Sequence, residues 1–134
     1  MLMPSLSRYM KPQPWTIRKD ACLADAHRLM HEHGIRHLPV LEGSELVGLI
    51  SERDLHLAET LRASDPADLT VEHAMVDDVF TASADAPIDE VVEQMASRKI
   101  GSAVALDRQG RVNGIFTTVD ALQFFADVLR RACG

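Results

Sequence analysis

Two short elements hold the residue types best suited to chemistry. Gly48-Leu49-Ile50-Ser51-Glu52-Arg53-Asp54 and Gly114-Ile115-Phe116-Thr117-Thr118-Val119-Asp120 share one grammar. Each reads as a strand ending in a hydroxyl residue that opens a helix, with an aspartate three residues on. One use of this pattern is structural. Ser or Thr followed by an acidic residue at that spacing forms a capping box, although Asp is shorter than the preferred Glu. An aspartate in the first turn also favours the helix dipole. The other use is recognition. A helix N-terminus presents N–H groups and positive potential to a phosphate. The hydroxyl adds a donor, and the carboxylate can accept hydrogen bonds from two sugar hydroxyls, as acidic residues do in dinucleotide sites. The uses are compatible, because a capped helix is a good platform for a site. Their duplication favours recognition.

Other chemistries find less support. His27, His31, His33 and His37 cluster, and His27 and His31 stand four residues apart on one helix face. Zinc needs a convergent ligand set. His33 points elsewhere on the helix, His37 belongs to a strand, and no cysteine or carboxylate completes a familiar spacing. A solvated helix face is therefore expected rather than a metal site. The chain has no activated nucleophile, Gly-rich phosphate loop or paired catalytic carboxylates, so no enzyme is expected.

Composition sets the outer limits. The chain has 134 residues, 46% apolar and 25% charged, with a net charge of −6. Those are ordinary globular values. The acidity disfavours a general nucleic-acid binder, and 4% aromatic residues leave no broad stacking platform. No stretch approaches the roughly 18 apolar residues that span a bilayer. Basic residues and prolines from Arg8 to Pro14 interrupt the place where a secretory signal needs an apolar run. A cytoplasmic protein with no membrane contact is expected. Cys22 and Cys133 fit no metal or redox spacing and read as free thiols in a reducing compartment.

The elements that must position these residues come in two copies. Displaced by 65 positions, Met10 meets Met75, Thr16 meets Thr81, Leu23 meets Ile88, Met30 meets Met95 and Ile35 meets Ile100. One extra residue in the loop Asp107–Gly110 changes the displacement to 66, and then Gly48 meets Gly114, Ser51 meets Thr117 and Asp54 meets Asp120. Each half predicts β-α-β-β-α. Brief strands fall at Pro14–Ile17 and Val79–Ala82. Helices follow at Leu23–His33 and Ile88–Arg98, with apolar residues at helical spacing; Pro87 suits a first turn and Gly34 a stop. Hairpins come next, Arg36–Leu41 with Glu45–Ile50 and Ser102–Leu106 with Arg111–Phe116. Last helices run from Ser51 to about Arg62 and from Thr117 to about Arg130. The polar, proline-broken segment Ala63–Leu69 reads as a linker, giving a first repeat at 1–62 and a second at 70–134. Neither half buries enough surface to stand comfortably alone. The fold class expected is α+β, with two pseudo-symmetric repeats packed through their sheets and a cleft on each side of the seam.

The chain resembles a tandem pair of cystathionine-β-synthase-type (CBS) domains, a Bateman module. The resemblance rests on Gly34-Ile35-Arg36-His37-Leu38-Pro39-Val40 and Leu46-Val47-Gly48-Leu49-Ile50-Ser51-Glu52-Arg53-Asp54-Leu55 in the first repeat. In the second it rests on Ala74-Met75, Ile100-Gly101-Ser102-Ala103-Val104 and Val112-Asn113-Gly114-Ile115-Phe116-Thr117-Thr118-Val119-Asp120. Order, spacing and duplication carry it, from about Ser5 to Ala126. The second repeat departs from the pattern with Ala103-Val104-Ala105 in place of Leu-Pro-Val.

The resemblance implies a regulatory sensor of an adenosine-containing ligand, such as AMP, ADP, ATP or S-adenosylmethionine, with no required cofactor. It implies that the Ser/Thr-x-x-Asp of one repeat holds ribose and phosphate while the base lies against strands of the other. One site would join Ser51, Arg53 and Asp54 to Met75, Val79, Phe80 and Thr81 and to Ile100, Gly101 and Ser102. The other would join Thr117 and Asp120 to Met10, Pro14, Trp15 and Thr16 and to Ile35, Arg36 and His37. Arg36 and Arg53 are the first phosphate partners, with Lys99 next. Trp15 and Phe80 would stack on a purine or fill their clefts. The resemblance also implies a homodimer, for which the C-terminal run Ala121-Leu122-Gln123-Phe124-Phe125 with Val128 and Leu129 offers an apolar face. No effector domain is expected beside the repeats, and the regulated partner is expected to be another chain. The competing expectation is an interaction module that binds no ligand.

Overall fold

The computed structural model describes residues 2–62 and 68–134. After a 3-10 turn at Leu6–Arg8, the elements are β1 (Lys11–Pro12), β2 (Ile17–Arg18), α1 (Leu23–His33), β3 (His37–Glu42), β4 (Glu45–Ser51), α2 (Glu52–Arg62), α3 (Val71–Ala74), β5 (Thr81–Ser83), α4 (Ile88–Arg98), β6 (Ser102–Leu106), β7 (Val112–Thr117) and α5 (Thr118–Cys133). The class is α+β, with two sheets ordered β2-β3-β4 and β1-β7-β6-β5 among the described residues. The predicted first helices, α1 and α4, match residue for residue. The opening strands begin two or three residues later than predicted. Strand pairing is what defines them: Ile17 pairs with Val40 and Thr81 with Val104, both in parallel. Of the expected linker, 63–67 lie outside the described residues, and Leu69 is buried in a core.

The chain forms two compact units, one of Trp15–Val79 and one of Met1–Pro14 with Phe80–Gly134. In the first unit, α1 buries Leu23, Ala26 and Met30, three residues at helical spacing. It stops at Gly34, whose φ of 62° is the left-handed conformation that glycine adopts without strain. β3 and β4 form the hairpin, with Leu38 opposite Ile50. Those residues, with Val40, Leu55, Leu69 and Val71, make one apolar core. The α3 segment closes this core: Leu23 N donates to Leu69 O at 2.8 Å and Val71 N to Ala21 O at 2.8 Å. A Cβ at Gly48 would lie 2.4 Å from Met75 Sδ and 3.0 Å from the Val76 carbonyl oxygen, so only glycine admits this close approach.

In the second unit, α4 buries Ile88, Val91 and Met95, and its stop is Lys99 with φ 55°. The segment before β2 belongs here. Pro12 pairs with Gly114 and Lys11 with Ile115 on β7, and Leu6 and Met10 are buried in this unit's core. Ala103 faces Phe116 where the other hairpin sets Leu38 against Ile50. A small residue across from a large one conserves volume, which explains how this repeat dispenses with the Leu-Pro-Val run. Among the described residues, no helix is long and apolar enough to cross a membrane.

Candidate functional site

Both hydroxyl–aspartate corners are formed, and both are true caps. Ser51 N donates to Asp54 Oδ2 at 2.9 Å, Ser51 Oγ donates to the same oxygen at 2.9 Å, and Asp54 N donates to Ser51 Oγ at 3.1 Å. At the other corner, Thr117 N donates to Asp120 Oδ2 at 2.9 Å and Thr117 Oγ1 reaches it at 3.3 Å. There, too, the Thr117 side chain takes the backbone N–H of Asp120. The first amide of each helix is also engaged. Glu52 N donates to Arg36 O at 2.9 Å and Thr118 N to Gly101 O at 3.1 Å. Two of the first three amides are thus used internally. A phosphate meets fewer free N–H groups here than a bare helix end would offer.

Each predicted site drew residues from both compact units, and within a unit the structure brings several together. In the Trp15–Val79 unit, His37 lies across the ladder from Ser51. Burial pushes the His37 imidazole below its ordinary value; Asp54 pulls it back up and Arg36 adds to the lowering. Arg36 and Arg53 are exposed, and Met75 underlies Gly48. Ile35 packs against the core, while Thr16 and Val79 are half-buried. In the other unit, Ser102 lies across from Thr117, and Met10 Sδ sits where a Cβ on Gly114 would be. Ile100 packs on the core, Pro14 is half-buried at the unit's edge, and Thr81 and Lys99 are exposed.

The two aromatic candidates share an environment. Trp15 is 53% exposed, so it is not a core residue. One face of its indole stacks on His33, with ring centroids 3.8 Å apart and planes at 11°. Phe80 packs against its core and carries the Arg98 guanidinium 4.9 Å above its ring. His33 and Arg98 occupy the same repeat position, a displacement of 65 apart. That shared basic character is a signal in the sequence; His33 was weighed there only as a metal ligand, and Arg98 was not considered.

The largest difference between the corners is a residue the motif does not contain. Lys11 Nζ forms an ion pair and hydrogen bond with Asp120 Oδ1. The Asp120 side chain is 3% exposed and that of Lys11 69%. Val76 stands at the equivalent repeat position, a displacement of 65 from Lys11. It exchanges two backbone hydrogen bonds of 2.9 Å with Leu49 and brings no charge. The histidine cluster is dispersed. His27 bonds Glu59 and meets His56 edge-on at 6.1 Å, while His33 lies on Trp15.

Known proteins are similar to this chain in sequence and in fold. A homoserine O-acetyltransferase from Methanohalobium evestigatum is 33% identical over 106 residues, covering 78% of this chain and 21% of the relative. An inosine-5′-monophosphate dehydrogenase from Korarchaeum cryptofilum is 32% identical over 105 residues, covering 78% of this chain and 21% of the relative. The chain therefore spans about a fifth of the length of these curated relatives. Among solved structures, a protein described as an acetoin utilization protein (AcuB) from Vibrio cholerae superposes with a TM-score of 0.84 at 28% identity, covering 96% of this chain and 95% of that one. The CBS domain pair of protein MJ0100, in complex with 5′-methylthioadenosine and S-adenosyl-L-methionine, superposes with a TM-score of 0.82 at 26% identity, covering 94% of this chain and 98% of that one. The duplicated strand–corner–helix units and their matches at residues 6–59 and 71–127 agree, and the chain belongs to the CBS domain family, with one domain in each stretch.

Proposed function

We propose that the chain is a regulatory sensor that binds an adenosine-containing ligand at its hydroxyl–aspartate corners and reports binding to another chain in the cytoplasm. AMP, ADP, ATP and S-adenosylmethionine are the candidate ligands. The observation that carries this proposal is the Ser51–Asp54 corner. Among the described residues, the hydrogen bonds accepted by Asp54 all fall on Oδ2. Oδ1 then retains the lone pairs that two ribose hydroxyls require. At this corner the exposed Arg53 offers charge-assisted hydrogen bonds to a phosphate; at the second predicted site the exposed Arg36 offers the same and Trp15 an indole face for a purine. The adenosine ligands bound by the MJ0100 pair support the ligand class. Binding biases another chain only through different affinity for two states.

A homodimer is part of the same proposal. Val119, Leu122, Phe125 and Leu129 are 70%, 65%, 55% and 47% exposed at helical spacing on α5. The equivalent face of α2 presents Arg53, His56 and Glu59. An apolar face of this kind is self-complementary when two copies of α5 meet. Light scattering at micromolar concentration should report a dimer, and a monomer rejects this part.

Titration calorimetry with AMP, ATP and S-adenosylmethionine tests the sensor. Asp54→Asn keeps an acceptor for the cap and removes the charge. Asp54→Ala removes both, including the carboxylate that favours the helix dipole, at about 0.3–1 kcal/mol of stability. Both should lose the binding event at this corner while circular dichroism reports a native fold. Unchanged titration in both rejects the ribose assignment. In the wild type, ligand at 100 times its Kd should add about 2.7 kcal/mol to stability. No thermal shift with any adenine ligand favours the ligand-free interaction module.

A further inference from the structure

We infer that Lys11 is an internal occupant of the second corner, closing Asp120 to a sugar diol while the Asp54 corner stays open. This rests on the proposal that these corners bind adenosine ligands. The position of Lys11 is fixed by the backbone. β1 pairs with β7, with Lys11 opposite Ile115 and Pro12 opposite Gly114. Gln13 N extends the pairing to Asn113 O at 3.1 Å. Upstream, Tyr9 OH donates to Asp127 Oδ2 at 2.9 Å and its ring meets Phe124 edge-on at 5.2 Å. The residues on either side of Lys11 are thus held, and its ammonium reaches the first turn of α5 from the strand edge.

The carboxylate it reaches has three of its four acceptor sites taken, one fewer free than a diol requires. Oδ2 of Asp120 accepts from the Thr117 amide and hydroxyl, and Oδ1 accepts from Lys11. A neutral diol would have to replace a charge-assisted hydrogen bond on a buried carboxylate, exchanging a stronger interaction for a weaker one. At the first corner the equivalent residue is Val76, with nothing to place on Asp54. The two corners of one duplicated motif therefore differ in availability because of one residue outside the motif.

Stoichiometry provides the test. Wild type, Lys11→Met, and Lys11→Met with Asp54→Asn are titrated with AMP and with S-adenosylmethionine by calorimetry, with circular dichroism as the fold control. The expected result is one binding event in the wild type, two in Lys11→Met, and one in the double variant. Two events in the wild type overturn the inference, as does one event in both the wild type and Lys11→Met; either leaves the Asp54 proposal standing. Loss of binding in Lys11→Met also overturns it, making Lys11 a ligand contact. No event in the wild type with one in Lys11→Met upholds the closure and rejects the Asp54 site. No event in any protein rejects both. A thermal-melt cycle of Lys11→Met and Asp120→Asn checks the contact without ligand: the two Tm losses must be non-additive, and additive losses overturn the inference.

Discussion

The Ser51–Asp54 and Thr117–Asp120 corners have the same internal hydrogen bonds and different surroundings. Around Ser51–Asp54 stand His37, Arg36, Arg53 and Val76; the equivalents at Thr117–Asp120 are Ser102, Gly101, Val119 and Lys11. The first corner keeps its cations off the carboxylate. The second has no cation at those three positions and instead a lysine, at the position of Val76, that sits on the carboxylate. The helices that follow diverge likewise, apolar along Val119, Leu122 and Phe125 of α5 and polar at the equivalent Arg53, His56 and Glu59 of α2. A duplicated turn thus keeps its backbone because capping demands it, while its chemistry is set by neighbours that the cap does not constrain.

The largest expected effect separates two glycines of identical role. At Gly48 a new Cβ would meet the Val76 carbonyl at 3.0 Å as well as the Met75 side chain. At Gly114 the three nearest atoms all belong to the flexible Met10 side chain. Gly48→Ala should therefore cost about 1–3 kcal/mol in urea denaturation, and Gly114→Ala clearly less. Equal losses would mean that the Met75–Val76 backbone gives way as easily as a methionine side chain.

The helix stops give the next effect. α1 ends on Gly34 and α4 on Lys99, both in the left-handed region. Lys99→Gly should stabilise by about 0.5–1 kcal/mol, and Gly34→Lys should destabilise by a similar amount. If Lys99→Gly is neutral or destabilising, the Lys99 side chain makes a stabilising interaction of its own.

The smallest effect is a pH dependence confined to one half. Burial holds the His37 imidazole below its ordinary value of 6.5, so the unfolded chain binds a proton more readily than the folded one. The associated stability is present above the unfolded value and is lost as pH falls from there through the folded value. His37→Ser, which copies Ser102, should flatten thermal stability between pH 7 and 5, a window around roughly 6.5, the unperturbed histidine value. An unchanged slope would assign the pH dependence to other groups.

The corner geometry of the candidate site was legible in the sequence because it is local. Ser51 and Asp54, like Thr117 and Asp120, are three residues apart, and a helix start brings such pairs together without outside help. The helices α1 and α4 were legible for the same reason, since Leu23, Ala26 and Met30, or Ile88, Val91 and Met95, trace a periodic apolar face. The opening strands were displaced because a two- or three-residue strand exists only through its partner. Lys11 was missed because its role depends on which strand edge its segment joins. The stacking of Trp15 on His33 was missed because the two residues meet only once α1 packs on its unit.

The sequence by itself determined the duplication, the capped corners and the class of elements in each half, all consequences of short-range spacing and side-chain periodicity. Only the tertiary structure decided how the halves are completed. Residues 6–12 belong to the first sequence repeat yet close the core and sheet of the second unit, while 70–76 belong to the second sequence repeat and, with Leu69 of the linker, close the core of the first unit. The compact units are consequently Trp15–Val79 and Met1–Pro14 with Phe80–Gly134, cut differently from the sequence repeats. The physical reason is that these segments are held by backbone hydrogen bonds and single buried anchors such as Leu6 and Val71. Such anchors leave no periodic trace, and one of these segments carries the lysine onto Asp120.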